Sequence, residues 1–146
     1  LSVKLMAQVR AARAAIPHMR RQGDGRIVNI SMAGAKNPHA ASFPTSVSRA
    51  AGLAFTKALS KEVAGDNIRV NVIGLGWIKS RQQQRRAEIA GITLDEHYAR
   101  LAPNVPLGRL GDPDEVAAVI VFLASDAASY VTGSCVNVDG GHCGVL

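Results

Sequence analysis

Residues 27–61 read IVNISMAGAKNPHAASFPTSVSRAAGLAFTKALSK. A β-branched run, Ile27-Val28-Asn29-Ile30, has the composition of a buried strand. A Gly/Pro/His/Ser loop follows, and then a segment of small residues with helical spacing. Strand, loop and helix in this order mark the carboxyl end of a parallel strand, where ligands and chemistry gather in α/β proteins. The rest of the chain fits that unit on both sides.

Upstream, Leu5, Val9, Ala12, Ile16 and Met19 recur at spacings of four and three, which predicts an amphipathic helix. No capping residue precedes it and residue 1 already lies inside the pattern, so the chain is expected to begin part-way through an element. Pro17 is expected to loosen the last turn, and Gly23-Asp24-Gly25 to end it. Downstream, Val47, Ala50, Ala51, Ala54, Ala58, Leu59 and Val63 predict the buried stripe of a second helix, closed by Gly65-Asp66. Residues 68–73, IRVNVI, predict another strand, and Ser134 to Val138 a last one, closed by Asp139-Gly140-Gly141. A helix after Asp112 carries Pro113 at its first position and Glu115 for a capping box, with Val116, Val119, Ile120 and Leu123 as its buried face. Between them, residues 79–103 are polar and irregular and predict a lid or binding loop. Alternating helices and strands imply right-handed parallel crossovers, an α/β layer fold forming one domain over residues 1–146.

Composition narrows the classes. Hydrophobic residues make up 47% and aromatics 4% of the 146 residues, so Ala, Val, Ile and Leu must fill the interior. Net charge is +6, and residues 1–70 hold 11 of the 17 Lys and Arg against three acidic groups. Without aromatic interleaving or a binding module, that basic half reads as a solvated helix face and not as a nucleic-acid surface. Lys4, Arg10 and Arg13 break the opening apolar stretch, which excludes a membrane span there, and no cleavage site marks a leader. Cys135 and Cys143 have no metal-ligand spacing and read as reduced thiols, so the expected location is cytoplasmic. His18, His97 and His142 form no cluster with carboxylates, and no metal is expected.

Six blocks in order carry a family resemblance: GRIVNIS, the helix beginning at Pro44, IRVNVI followed by a Gly and WIKS, PLGRLGDPDEVA, FLASDAASYVTG and VNVDGG. Together they resemble the short-chain dehydrogenase/reductase family from about Leu5 to Gly141. The resemblance implies a Rossmann-like parallel sheet with flanking helices, NAD or NADP as cofactor, and hydride exchange between an alcohol and a ketone. It also implies that Arg49, Gly76, Ile78 and Ser80 stand at cofactor-binding positions. Members of the family form dimers through the first two helices seen here and a second interface through the last helix and strand, so a homo- or hetero-oligomer is expected.

Two departures from the family pattern stand out. The front half, with its glycine-rich phosphate-binding turn, has no counterpart. Gly74-Leu75-Gly76 lacks the third glycine and the following helix, and aligns instead with the family's Pro-Gly turn. The strand at Ile27 is then expected to have an open edge, as in a fragment of a longer protein or a chain that needs a complementing surface. The second departure is chemical. The family's Tyr, Lys, Ser and Asn positions are occupied by Thr45, Arg49, Met32 and Lys4. A phenol titrates near ~10 and can be tuned by a nearby cation, whereas an aliphatic hydroxyl has no usable acidity near neutrality. Arg49 keeps a positive charge but presents a planar fork in place of an ammonium. Met32 offers only a weak sulfur acceptor, and Ser31 beside it should point to the opposite face unless a bulge turns it round. His39 in the loop is a substitute acid/base by its titration range but reads better as an exposed histidine. Tyr98 reads as lid packing, and Tyr130 as a packed structural residue. Three functions follow: an oxidoreductase that is inactive alone, a silent subunit acting by association, or a small-ligand binder without turnover.

Overall fold

The computed structural model describes residues 3–145. Its elements run α1 (Leu5–Gln22), β1 (Gly25–Met32), α2 (Thr45–Glu62), β2 (Ile68–Leu75), α3 (Arg81–Ala90), α4 (Leu94–Leu101), α5 (Pro113–Ala124) and β3 (Cys135–Val138). The strands form one parallel sheet in the order β1-β2-β3. This is the Rossmann-like α/β arrangement expected, with β1 at an edge.

The two faces of the sheet divide the core. Ile68 and Val70 of β2 pack with Ala12 of α1, Leu59 of α2 and Val63 just after α2. On the opposite face Ile73 meets Val116 and Leu123 of α5, with Val28, Ile30, Val136 and Val138 around them. The period-2 alternation of the strands produces both layers from one sequence pattern.

Three expectations change. α1 runs through Pro17 to Gln22, where Gly23 at φ 77° takes the left-handed conformation that ends it. Leu1, which the apolar pattern included, lies outside the described residues. On α2 the predicted stripe is displaced: Val47 is 50% exposed, and Ala54 and Ala58 face solvent. The buried side chains are Ser46, Ser48, Gly52, Thr56, Leu59 and Ser60. The helix lies so close to β1 that small polar groups bonded locally fit where larger apolar ones would not. Thr56 Oγ1 donates to Gly52 O at 2.9 Å and accepts Asn29 Nδ2 at 3.0 Å.

The third change concerns residues 79–103, which are not irregular. They form the helical pair α3 and α4, packed chiefly on each other. Thr93 caps α4, accepting Glu96 N–H at 3.2 Å while the Glu96 carboxylate accepts Thr93 N–H at 2.8 Å. The insertion is pinned at its neck. Lys79 N–H donates to Gly111 O and Gly111 N–H to Trp77 O, both at 2.9 Å, and Lys79 Nζ pairs with Asp112 at 2.9 Å.

Candidate functional site

The expected site residues divide among three places at the carboxyl end of the sheet. Met32 ends β1 in extended conformation, Thr45 begins α2, and Arg49 follows one turn later. Gly76 and Ile78 extend β2, and Ser80 is the exposed residue before α3. Lys4 precedes α1 with its side chain in solvent. One turn on, Gln8 reaches the Ile30 carbonyl, so this end of α1 lies beside the end of β1.

Register decides which way Ser31 and Met32 face. Pairing is unbroken from Gly25↔Ile68 to Ser31↔Gly74 and Met32↔Leu75, so no bulge turns Ser31 round. Ser31 is 2% exposed and its Oγ donates to Arg49 O at 3.4 Å, on the α2 face. Met32, one residue on, faces the α5 layer with Val28 and Ile30.

Arg49 is engaged with the sheet edge. Gly25 N–H donates to Asn67 O, so the odd-numbered residues of β1 turn their backbone groups to β2 and the even-numbered ones to the open edge. The Ile30 carbonyl on that edge accepts Arg49 Nη1 at 2.8 Å and Gln8 Nε2 at 3.4 Å. Arg49 Nε is buried without a partner, and desolvation lowers the guanidinium pKa. A donor of this kind, one N–H spent and another unused, fits the hydroxyls of a ribose. No glycine-rich strand–turn–helix accompanies it among the described residues, so the fit to a dinucleotide extends to the nicotinamide-ribose end alone.

The glycines at the end of β2 have steric reasons. A Cβ on Gly76 would lie 2.5 Å from Asp139 Cα, and one on Gly74 2.9 Å from Asn137 Oδ1. Gly76 N–H donates to Val138 O at 3.0 Å, and Ile78 bridges to Gly111. Beside them is a cavity of about 460 Å³ whose walls include Ile78, Leu107, Arg109, Asn137 and Gly140. Its outer wall is the arm descending from α4, not the helical pair itself. The arm lies within the PLGRLGDPDEVA block, but the ion pair that holds it was not legible there. Arg109 binds Glu115 through two bonds of 2.7 and 2.8 Å, and the Glu115 carboxylate also accepts Asp112 N–H at 2.7 Å. The guanidinium and then the backbone N–H hold Glu115 down to about 2. The six-residue spacing, helical at one end only, hides this pair from periodicity.

The remaining titratable groups stand apart. His39 is exposed in the loop, and its ring contacts Ala40 O. Tyr98 sits half-buried on α4 beside His97, which bonds Gln83. Tyr130, expected to pack, is 102% exposed because the turn after α5 swings it away from the sheet. Among the described residues there is no group of three or more His, Cys, Asp or Glu placed to hold a metal, and no helix is long and apolar enough to cross a membrane.

Comparisons with known proteins agree with this geometry. The family model described as Enoyl-(Acyl carrier protein) reductase matches residues 1–142. The 3-oxoacyl-[acyl-carrier-protein] reductase FabG of Thermotoga maritima is 37% identical over 141 residues, covering 97% of this chain and 54% of the relative. Acetoacetyl-CoA reductase of Shinella zoogloeoides is 42% identical over 124 residues, covering 85% of this chain and 49% of the relative. The crystal structure of L-sorbose reductase from Gluconobacter frateurii, complexed with NADPH and L-sorbose, superposes with a TM-score of 0.90 at 34% identity, covering 99% of this chain and 57% of that one. The chain thus spans about half the length of the curated relatives it matches. Strand order, crossover pattern and these likenesses agree, and the chain belongs to the short-chain dehydrogenase/reductase family.

Proposed function

We propose that this chain supplies the carboxyl-side half of an NAD(P)-dependent reductase fold and is inert in carbonyl reduction by itself. Arg49, with Gly76, Ile78 and Ser80 across from it, would hold the nicotinamide-ribose end of NAD or NADP. Bound there, the cofactor would supply the hydride for a ketone. The arm from α4, over the cavity beside Ile78, would enclose a small substrate.

The observation that carries inertness is the trio where β1 ends and α2 begins. Met32 has no hydroxyl, the Ser31 hydroxyl is committed to the Arg49 carbonyl, and Thr45 has no acidic proton near neutrality. Arg49 retains positive charge, but its fork is turned to Ile30 O. No described group in this trio can give a proton to a developing alkoxide. The test is a fluorescence titration with NADH and NADPH alongside a carbonyl-reduction assay. Weak binding without turnover supports the reading, and turnover by the chain alone defeats it.

A second reading, a silent subunit that acts by association as a homo- or hetero-oligomer, is favoured by two apolar surfaces. One is a groove of about 340 Å³ between α1 and α2, floored by Val9, Ile16, Phe55 and Leu59. The other, on and after α5, exposes Val121, Phe122 and Tyr130. Native mass measurement separates the two: a monodisperse monomer at micromolar concentration counts against association.

A further inference from the structure

The two cysteines meet at the carboxyl end of the sheet although they leave it by different routes. Cys135 opens β3, opposite Val72, with its side chain on the α2 face. Its Sγ lies 3.5 Å from where a Cβ on Gly74 would be, and the missing side chain makes room for it. Cys143 lies beyond β3 on a strap, residues 139–145, that turns back across the strand ends. Its Sγ donates to Ala33 O at 3.6 Å, and its N–H to the Asp139 carboxylate at 2.8 Å.

The strap touches three parts of the site. Asp139 also accepts Gly141 N–H at 3.0 Å, Gly140 O accepts Leu107 N–H at 3.2 Å, and His142 Nδ1 lies 2.9 Å from Asn104 O. The His142 ring meets Trp77 edge-on at 6.1 Å, and Gly144 packs against Asn37. The turn after β1 (Ala33–Ala35), the end of β2 and the arm from α4 are therefore all held by this one segment.

The sheet register sets the distance between the thiols. Gly74 pairs with Ser31, and Ala33 is two residues past Ser31. With strands ~4.8 Å apart and ~3.3 Å per residue, Gly74 and Ala33, the two backbone positions against which the sulfurs rest, stand about 8 Å apart. A disulfide needs sulfurs about 2 Å apart and Cα atoms about 4.4–6.8 Å apart. The strap must therefore close by several ångströms. Gly140 and Gly141, both at positive φ, and Gly144 give it the backbone freedom.

We propose that Cys135 and Cys143 form a reversible disulfide that latches residues 139–145 over the carboxyl end of the sheet. The oxidant is a low-molecular-weight disulfide. Cys143, as thiolate, attacks one of its sulfurs and expels one thiol, giving a mixed disulfide. Cys135 then attacks the Cys143 sulfur and expels the second thiol, so that one external disulfide is reduced to two thiols as one protein disulfide forms. The order follows from burial, which pushes the Cys135 thiol up, while the nearby Lys36 charge pulls the other way and favours its thiolate for the second step. Cys143 is also close enough for its charge to be felt at Cys135.

The test treats the whole chain with oxidised glutathione, then counts free thiols, measures intact mass and maps peptides without reduction. The expected product has lost both free thiols, carries no glutathione and joins the Cys135 and Cys143 peptides within one chain. Amide exchange over residues 141–144 should slow by ~10-fold or more as the latch shuts, and recover on reduction. Cys143→Ala, a change in an exposed strap, should remain folded and show neither the cross-link nor the slowed exchange. Stable glutathione adducts on both cysteines, a bond between two chains, or a closed bond that leaves the exchange unchanged would each overturn the proposal.

Discussion

Asn71 is a polar side chain at the centre of the sheet with 1% of its surface exposed. Its Nδ2 donates to Val131 O at 2.8 Å, and its Oδ1 accepts Ser134 N–H at 3.1 Å, so both ends of the amide hold the loop that leads into β3. Asn71→Leu should destabilise the fold by about 2–4 kcal/mol in chemical denaturation, because two backbone groups lose their partner in a dry setting. Glu115 gives the corresponding prediction in pH. Its carboxyl is held near 2, below its ordinary 4.5, by Arg109 and the Asp112 N–H. A depressed carboxyl adds stability that is complete above pH 4.5 and lost as pH falls towards 2. Thermal unfolding of the wild type should therefore approach that of Glu115→Gln across this window, and a constant difference would show that the pair does not hold the arm. At this scale the sequence was partly legible. The outward turn of Met32 from Ser31 follows from strand alternation alone, and the register bears it out. The bond from Arg49 to Ile30 O was not legible, since it depends on an open strand edge reaching a helix nineteen residues on.

Elements were read best where local chemistry and packing agree. α5 was announced by Asp112, Pro113 and Glu115, and the structure begins the helix there. The strands were found from β-branched runs, though β1 and β2 each extend two residues further, to Met32 and Leu75. α2 was placed correctly but rotated, because Ser, Thr and Gly at the buried positions look like a solvent face until the closeness of the sheet is known. α3 and α4 were missed for a different reason. α3 is polar over most of its surface, and the signals in α4, the Leu94-Tyr98-Leu101 stripe and the capping box Thr93-Leu94-Asp95-Glu96, span only eight or nine residues. Thr93→Ala should cost about 1 kcal/mol of local stability, seen as faster amide exchange in α4 with little change in the sheet. Gly76→Ala should act on the sheet instead: its methyl would meet Asp139 backbone, and a loss of about 1–3 kcal/mol is expected in denaturant melts. Unchanged stability would mean that the β2–β3 ends separate at little cost.

Across the whole molecule, in the proposed reading, the features that specify the fold and those that carry the family's chemistry have parted. The sheet and its crossovers superpose closely on a solved reductase of the family. In that proposed reading, the positions that in the family move a proton hold Lys4, Met32, Thr45 and Arg49. β1 presents the even-numbered half of its backbone groups to an open edge, where Arg49 and Gln8 cover one carbonyl. An edge of this kind is a place for another strand, and a strand bound there would compete with both side chains for Ile30 O. The most direct test of the central claim is the initial rate of NADPH oxidation by the purified chain with a β-ketoacyl thioester near neutral pH. The account predicts no rate above the enzyme-free control. A steady, enzyme-dependent rate that Thr45→Ala or Arg49→Ala abolishes would contradict it.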